Sequence, residues 1–407
     1  MNTHKHTYSK LAFVVTSILG VSAVSGHASA ETLYDAIKNG TAFGNLNLRY
    51  ESVDQDNALD DASALTLRTR IGYKTADLNG FSVTVEMEDN RIVLGQGDYA
   101  SPPNGYNTGI YSVIADPEHT ELDQGFVQYK NDALTVKVGR QVITHDGHRF
   151  IGHVGWRQDR QTFDAARVIY APSKGVKLEY SYIDQRNRIF GEDGDLDSKD
   201  HLFHGSYKTD YGTLAGYSYL LEVDNNTDNA LDTYGIRFAG GTKLSDLDVV
   251  YHAEYATQSN ETAAGGDFDT DYLFLEFGAK FSGVTAKLGY EVLGSDDGQM
   301  GFQTPLATLH KFNGWTDQFL GTPAQGLEDV SFTLAGKALG GNWLAVYHDF
   351  SADDASATVD DLGSELNLQY VTTVQKHYKV GLKYAAYSGE SGRVDTDKLW
   401  LWVNVGF

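Results

Sequence analysis

The sequence predicts an all-β protein, a transmembrane antiparallel β-barrel of about 18 strands (16–18) with long extracellular loops. Three observations carry this. First, Lys5 and Lys10 precede an apolar run from 11 to 24, and Ala28-Ser29-Ala30 precedes Glu31. That order reads as a cleaved secretory signal over 1–30. Second, the remainder has no apolar run long enough to span a bilayer as a helix. It is nevertheless rich in Tyr (25), Phe (19) and Gly (43), poor in Pro (6) and free of Cys. Third, apolar residues recur at every second position, with polar or charged residues between them.

Leu46, Leu48 and Tyr50 start the alternation, opposite Asn47, Arg49 and Glu51. Leu65, Leu67, Ile71 and Tyr73 follow, opposite Arg68, Arg70 and Lys74. Phe81, Val83, Val85 and Met87 stand opposite Ser82, Thr84, Glu86 and Glu88. One face suits lipid and the other suits water. From 89 to 120 the pattern stops, and Pro102-Pro103-Asn104-Gly105 marks a long loop. Strands resume at 125–130, 134–139 and 163–170, then at Val176, Leu178, Tyr180 and Tyr182. An acidic loop is expected over 191–200. Weaker strands are placed at 201–208, 213–221 and 233–238. Leu247 to Tyr255, Leu273 to Ala279 and Val284 to Val292 alternate strongly. A second irregular segment covers 294–328. Strands at 330–336, 343–350 and 365–370 lead to Tyr378, Val380, Leu382 and Tyr384, then to Leu399, Leu401, Val403 and Val405. No fixed repeat supports a propeller, and no linker divides the chain, so 31–407 reads as one barrel domain. A barrel this wide holds an aqueous lumen.

The segment 139–170 stands out. Arg140, Arg149, Arg157, Arg160 and Arg167 are five of the thirteen arginines, in a chain of formal net charge -23. By strand parity Arg49, Arg68, Arg70, Lys74 and Lys137 face inward, while Arg140 and Arg167 stand at strand ends where parity does not decide, and Arg149, Arg157 and Arg160 belong to a connection that could fold into the pore. Such a lining would concentrate anions along the lumen. The alternative is that these arginines pair with Glu86, Glu88, Asp123, Asp159 or Asp164 and balance charge within the wall.

Three stretches resemble the alginate-export family of outer-membrane barrels, a porin-like group. They are Val138-Gly139-Arg140-Gln141 leading to Gly155-Trp156-Arg157-Gln158 and Thr162-Phe163-Asp164-Ala165-Ala166-Arg167, then 304–323 around His310-Lys311-Phe312-Asn313-Gly314-Trp315-Thr316-Asp317, then Gly363-Ser364-Glu365-Leu366-Asn367-Leu368. The resemblance implies an 18-stranded barrel with an arginine-rich lumen that passes an anionic polysaccharide outward. The terminal Phe407, ending an apolar alternation, resembles the assembly signal of such barrels.

A Gram-negative outer-membrane location is therefore expected. The expected partners are lipid, the outer-membrane assembly machinery, and anionic or sugar-like small solutes or a polysaccharide, with no nucleic acid. His310, Lys311, Trp315 and Asp317 are candidates for a constriction loop with aromatic faces for sugar rings. Trp400 and Trp402 share one face of the last strand, at the lumen or the rim. The loop His145-Asp146-Gly147-His148 and the acids Asp193, Asp195 and Asp197 fall short of a metal site, since the calcium-loop glycine and closing glutamate are missing. No metal or cofactor is expected. No H-E-x-x-H, G-x-S-x-G or phosphate loop is present, so no enzyme is expected. Two other readings remain, a nutrient porin without anion preference and a surface adhesin or scaffold.

Overall fold

The structure is a computed structural model that describes residues 32–245 and 247–407. The expected signal segment 1–30 lies outside the described residues. Strands β1 (Thr41–Gln55), β2 (Ala62–Lys74), β3 (Phe81–Asp98), β4 (His119–Lys130), β5 (Leu134–Gln141) and β6 (Thr162–Tyr170) open the wall. They continue with β7 (Val176–Asn187), β8 (Leu196–Lys208), β9 (Gly212–Leu221), β10 (Ala230–Leu244), β11 (Leu247–Glu261), β12 (Asp267–Phe281) and β13 (Val284–Leu293). A two-stranded hairpin, β14 (Ser295–Asp296) and β15 (Met300–Gly301), stands apart from the wall. The wall ends with β16 (Leu327–Ala338), β17 (Gly341–Ser351), β18 (Asp361–Val374), β19 (Tyr378–Ser388) and β20 (Thr396–Gly406).

Every wall strand pairs antiparallel with its neighbours in sequence, making an 18-stranded sheet. β1 then pairs with β20, from Asn45 opposite Gly406 to Gln55 opposite Thr396. Closure leaves no open edge, which a hydrocarbon surround would penalise heavily. The alternation now has a direction. Leu48, Ile71, Met87, Phe277, Leu288 and Leu401 point out and are exposed, as a lipid-facing band requires. Arg49, Arg68, Arg70, Glu88, Glu179 and Lys383 point in and are buried.

Connections at one end are short, such as 131–133, 282–283 and 339–340. The long ones, 99–118, 142–161 and 294–326, share the other end. At the short-turn end lies helix α1 (Leu33–Lys38), started by a capping box between Thr32 and Asp35. Its Ala36 carbonyl accepts from Ala76 N at 2.9 Å, so it rests on the β2–β3 turn. Phe407 N donates to Gly44 O at 3.0 Å, and the exposed Phe407 ring lies where a side chain on Gly44 would sit.

Several boundaries differ from expectation. β3 runs to Asp98, β4 starts at His119, β8 starts at Leu196 inside the expected acidic loop, and β10 spans fifteen residues. Helix α1 has no counterpart in the sequence reading. Beyond the bilayer both strand faces meet water or the lumen, so nothing demands an apolar side and the alternation fades while pairing continues. Trp400 is fully buried and Leu401 exposed, which puts the Trp400 and Trp402 face inward.

The outward set is open to measurement. Leu288→Arg, near the middle of β13, should cost about 2–4 kcal/mol of unfolding free energy in lipid vesicles. An unchanged denaturation midpoint would show that Leu288 does not face lipid.

Candidate functional site

The inside of the barrel is filled from above by loops 142–161 and 302–326, with 99–118 lying against them. Charge holds them there. Arg157, at the inner part of its loop, donates from Nη1 to both oxygens of Glu51 on β1, at 3.1 Å each. Its Nη2 donates to Asp317 Oδ2 at 2.9 Å. Asp116, from 99–118, pairs with Arg49 and lies 3.7 Å from Arg157. Lys398 of β20 reaches Asp317 Oδ2 at 3.0 Å. Three cations (Arg49, Arg157, Lys398) thus meet three carboxylates (Glu51, Asp116, Asp317), joining two strands and three loops. All six are buried.

Other anchors follow the same principle. Arg149 donates from Nε to Glu291 Oε1 at 2.6 Å and from Nη2 to Asn313 Oδ1 at 3.2 Å. Asn313 in turn donates to Glu291 at 2.7 Å and to Asp329 at 3.1 Å. Arg160 pairs with Asp123 of β4 and with Glu86 of β3, the latter at 2.7 Å. Arg70 pairs with Glu88 across β2 and β3. Arg140 grips Asp164 with Nε at 2.8 Å and Nη2 at 3.2 Å. Arg167 and His145 converge on Glu179 Oε1 at 2.6 and 2.7 Å. Glu365 accepts from Thr316 N at 3.1 Å, Thr316 Oγ1 at 2.6 Å and Trp315 N. Gly314 makes this capture possible. Its φ is +87°, and a Cβ there would meet Glu365 Oε2 at 2.3 Å.

Apolar contacts seal the same loops. Phe150, Ile151, Phe302, Leu306 and Phe319 pack against the inward Tyr217, Tyr219, Tyr272, Phe350 and Tyr387. On the other side Trp156 stacks on His310 with ring centroids 5.1 Å apart and meets Trp400 and Trp402 edge-on. The Lys383 ammonium lies 3.7 Å from the Trp315 ring centroid and 4.2 Å from that of Trp156, a cation held by aromatic faces. It donates to His310 Nε2 at 2.7 Å, so the ring proton sits on Nδ1 and goes to Asp317 Oδ1 at 2.7 Å. Burial pushes the His310 imidazole well below its usual range, and nearby Lys383 adds to this, so the ring is neutral. Burial would raise the Asp317 carboxyl, but His310, Lys398 and Arg157 outweigh it and hold it well below the usual carboxylate range. Arg49 and Arg157 do the same for Asp116.

The family model for alginate export matches residues 40–293, well over half of the chain. The chain belongs to the alginate export family. It is an outer-membrane β-barrel channel of that family. No curated protein matches it. Among solved structures, Pseudomonas aeruginosa OccK9 (OpdG) is similar at a TM-score of 0.71 and 14% identity, covering 91% of this chain and 100% of its own. P. aeruginosa OpdK, in a structure with vanillate, has a TM-score of 0.70 and 15% identity, with 90% and 98% covered. A BenF-like porin from P. fluorescens Pf-5 gives 0.70 and 13%, with 91% and 100% covered. These likenesses show the shared 18-stranded architecture.

In this alginate export barrel the candidate residues divide into two groups. Arg49, Arg70, Arg149, Arg157, Arg160 and Arg167 face inward, Arg140 lies at the end of β5 three residues from the inward Lys137, and each of the seven is tied to a carboxylate. Arg68 and Lys137 form no ion pair among the described residues. His310, Trp315 and Asp317 are buried inside the barrel, and Lys311 stays exposed while donating to Gly147 O at 2.7 Å. His145 and His148 do not converge, since His145 bonds Glu179 and Tyr219 while His148 packs edge-on against His153. The sequence reading set Glu51 on the face of Arg49 without giving it a role, and it missed Asp116, Glu179, Glu291, Lys383 and Lys398. Parity alone could have turned Glu179, Glu291 and Lys383 inward, because each sits between outward apolar neighbours, and Lys398 shares the parity of Trp400. Asp116, in a loop, carried no such signal.

Two outcomes test the charged knot. Arg157→Ala leaves Glu51, Asp116 and Asp317 without their shared cation and should cost about 3–5 kcal/mol of stability, read by urea unfolding. The depressed Asp116 and Asp317 carboxyls contribute stability that is present above the 3.8 of an unperturbed aspartate and lost as pH falls through their lower folded values. Four of the five tryptophans sit in this cluster. Their emission should therefore hold from neutral pH to about 4 and shift only below it. A shift already near pH 6 would mean that His310 ionises and the assignment is wrong.

Proposed function

We propose that this barrel is a passive channel for solutes bearing carboxylates, which slide along a cationic strip of wall on β2, β5 and β6. The observation that carries the reading is Arg68. It is buried, faces inward, and pairs with no carboxylate among the described residues. Its Nη2 donates to Asn45 Oδ1 at 2.6 Å, while its Nε has no partner. A buried guanidinium without an anion is costly, and its fork fits a carboxylate. Amides flank it. Asn45 and Asn404 exchange hydrogen bonds of 3.0 and 2.9 Å, and Asn47 bonds Gln158 of the inward loop at 2.9 Å. Amide donors beside a guanidinium suit a sugar acid, which offers both hydroxyls and a carboxylate.

The strip extends from there. Lys74 lies on the inward face of β2 at its short-turn end, exposed. Lys137 of β5 faces Arg167 and Lys74, with its ammonium 4.7 Å from the Phe126 ring centroid. In a wet lumen each such contact is worth about 0–1 kcal/mol, and conduction favours several weak sites over one tight one. The acidic net charge does not oppose this. Asp56, Asp60, Asp61, Asp353, Asp354 and Asp360 lie in or beside loops at the far end, outside the strip. Vanillate in the similar OpdK structure and alginate in the family description both carry carboxylates. Loops anchored all round the wall also leave less room than an unselective nutrient porin needs.

Planar-bilayer recording under a potassium chloride gradient tests the reading. The wild type should conduct with a reversal potential of anion-preferring sign. Arg68→Gln should reduce that preference, and Arg68→Gln with Lys137→Glu should reduce it several-fold. Absence of conductance, a cation preference, or an unchanged reversal potential in the double variant would overturn it.

A further inference from the structure

We propose that Glu88, His119 and Asp159 form a divalent-cation site that staples the 142–161 loop to the barrel wall. Glu88 is on β3 and His119 opens β4, while Asp159 comes from the loop, between Gln158 and Arg160. One ligand atom from each lies within 4.8 Å of the other two. Asp159 is fully buried, and neither of its carboxylate oxygens accepts a hydrogen bond. His119 Nε2 lies 3.2 Å from its Oδ2, close enough for an ion pair but short of hydrogen-bond alignment. Glu88 is fully buried too. Its Oε2 takes Arg70, but its Oε1 has no partner. A buried carboxylate without a cation is strongly disfavoured.

Apart from His119 itself, when protonated, the neighbours do not supply that cation. Arg160 is committed to Asp123 and Glu86, and Arg140 to Asp164. Glu121, directly opposite Glu88 in the β3–β4 register, adds a further carboxylate instead. Like charges opposed across strands destabilise the pair. The histidine is set up for a metal. Its Nδ1 donates to Pro117 O at 3.1 Å, so Nε2, turned toward Asp159, is the atom that would take a metal in place of a proton. One imidazole with two or three carboxylates suits manganese, zinc or calcium rather than a soft cation. A bound ion would tie β3 and β4 to the loop beside the Arg160 and Gln158 anchors, and chelation would loosen that end of the loop.

The test is metal binding, which does not depend on whether the channel conducts. Folded protein stripped with a chelator is titrated with Mn2+ and followed by electron paramagnetic resonance, with Zn2+ and Ca2+ as competitors. One ion per chain is expected. Asp159→Asn and His119→Ala should each weaken binding at least tenfold, while Asp193→Asn, in an exposed loop, should bind as the wild type does. Heat-modifiable gel mobility checks that each variant is folded. In the wild type itself, the bound Mn2+ should show coupling to one imidazole nitrogen. Lack of saturable binding, full affinity in the folded Asp159 and His119 variants, or bound Mn2+ without a nitrogen neighbour would each overturn the site.

Discussion

A peptide group facing hydrocarbon has no water to bond, so each backbone donor and acceptor in the wall must find a strand partner. That requirement closes β1 on β20 and makes every strand serve two neighbours. Closure then divides each strand into a lipid face and a lumen face, because side chains alternate. Leu48 and Arg49, or Ile71 and Arg70, are consecutive residues in opposite solvents. On the wall strands Arg49, Glu51, Arg70 and Trp400 have one place to go, and it is inside.

Inside, a second constraint operates. Long loops enter a space lined with carboxylates, and one of them, 142–161, brings Arg149, Arg157 and Arg160 with it. Low exposure makes every unpaired charge expensive, so the loops settle where cation meets anion. Arg157 sits at the meeting point of Glu51, Asp116 and Asp317. Arg149, Arg160 and Glu365 repeat the arrangement around the wall. Aromatic packing by Trp156, Phe150 and Phe319 then excludes water from the pairs and strengthens them. The loops are therefore part of the interior, and what the lumen offers a solute is the set of charges they leave over.

The leftover set is small and informative. Arg68 and Lys137 form no ion pair among the described residues, and neither oxygen of the buried Asp159 accepts a hydrogen bond. The first pair carries the proposed anion-facing strip. The last one, with Glu88 and His119, gives the lumen the proposed cation site at the foot of a loop. Both come from the same bookkeeping of buried charge, applied in opposite signs.

The barrel was legible in the sequence because period-two alternation is local and lipid enforces it strand by strand. Strands over the bilayer, such as Leu273 to Ala279 and Val284 to Val292, were placed well for that reason. The ends of β3 and β4 were not, since beyond the bilayer neither face needs to be apolar. Parity also put Arg49, Arg68, Arg70 and Lys137 on the inward side. Which arginines are spent on carboxylates was decided only by the tertiary structure. Arg157 and Glu51 lie 106 residues apart, and Arg149 and Asn313 lie 164 apart. No local pattern encodes contacts that exist only once the wall has closed and the loops have turned into it.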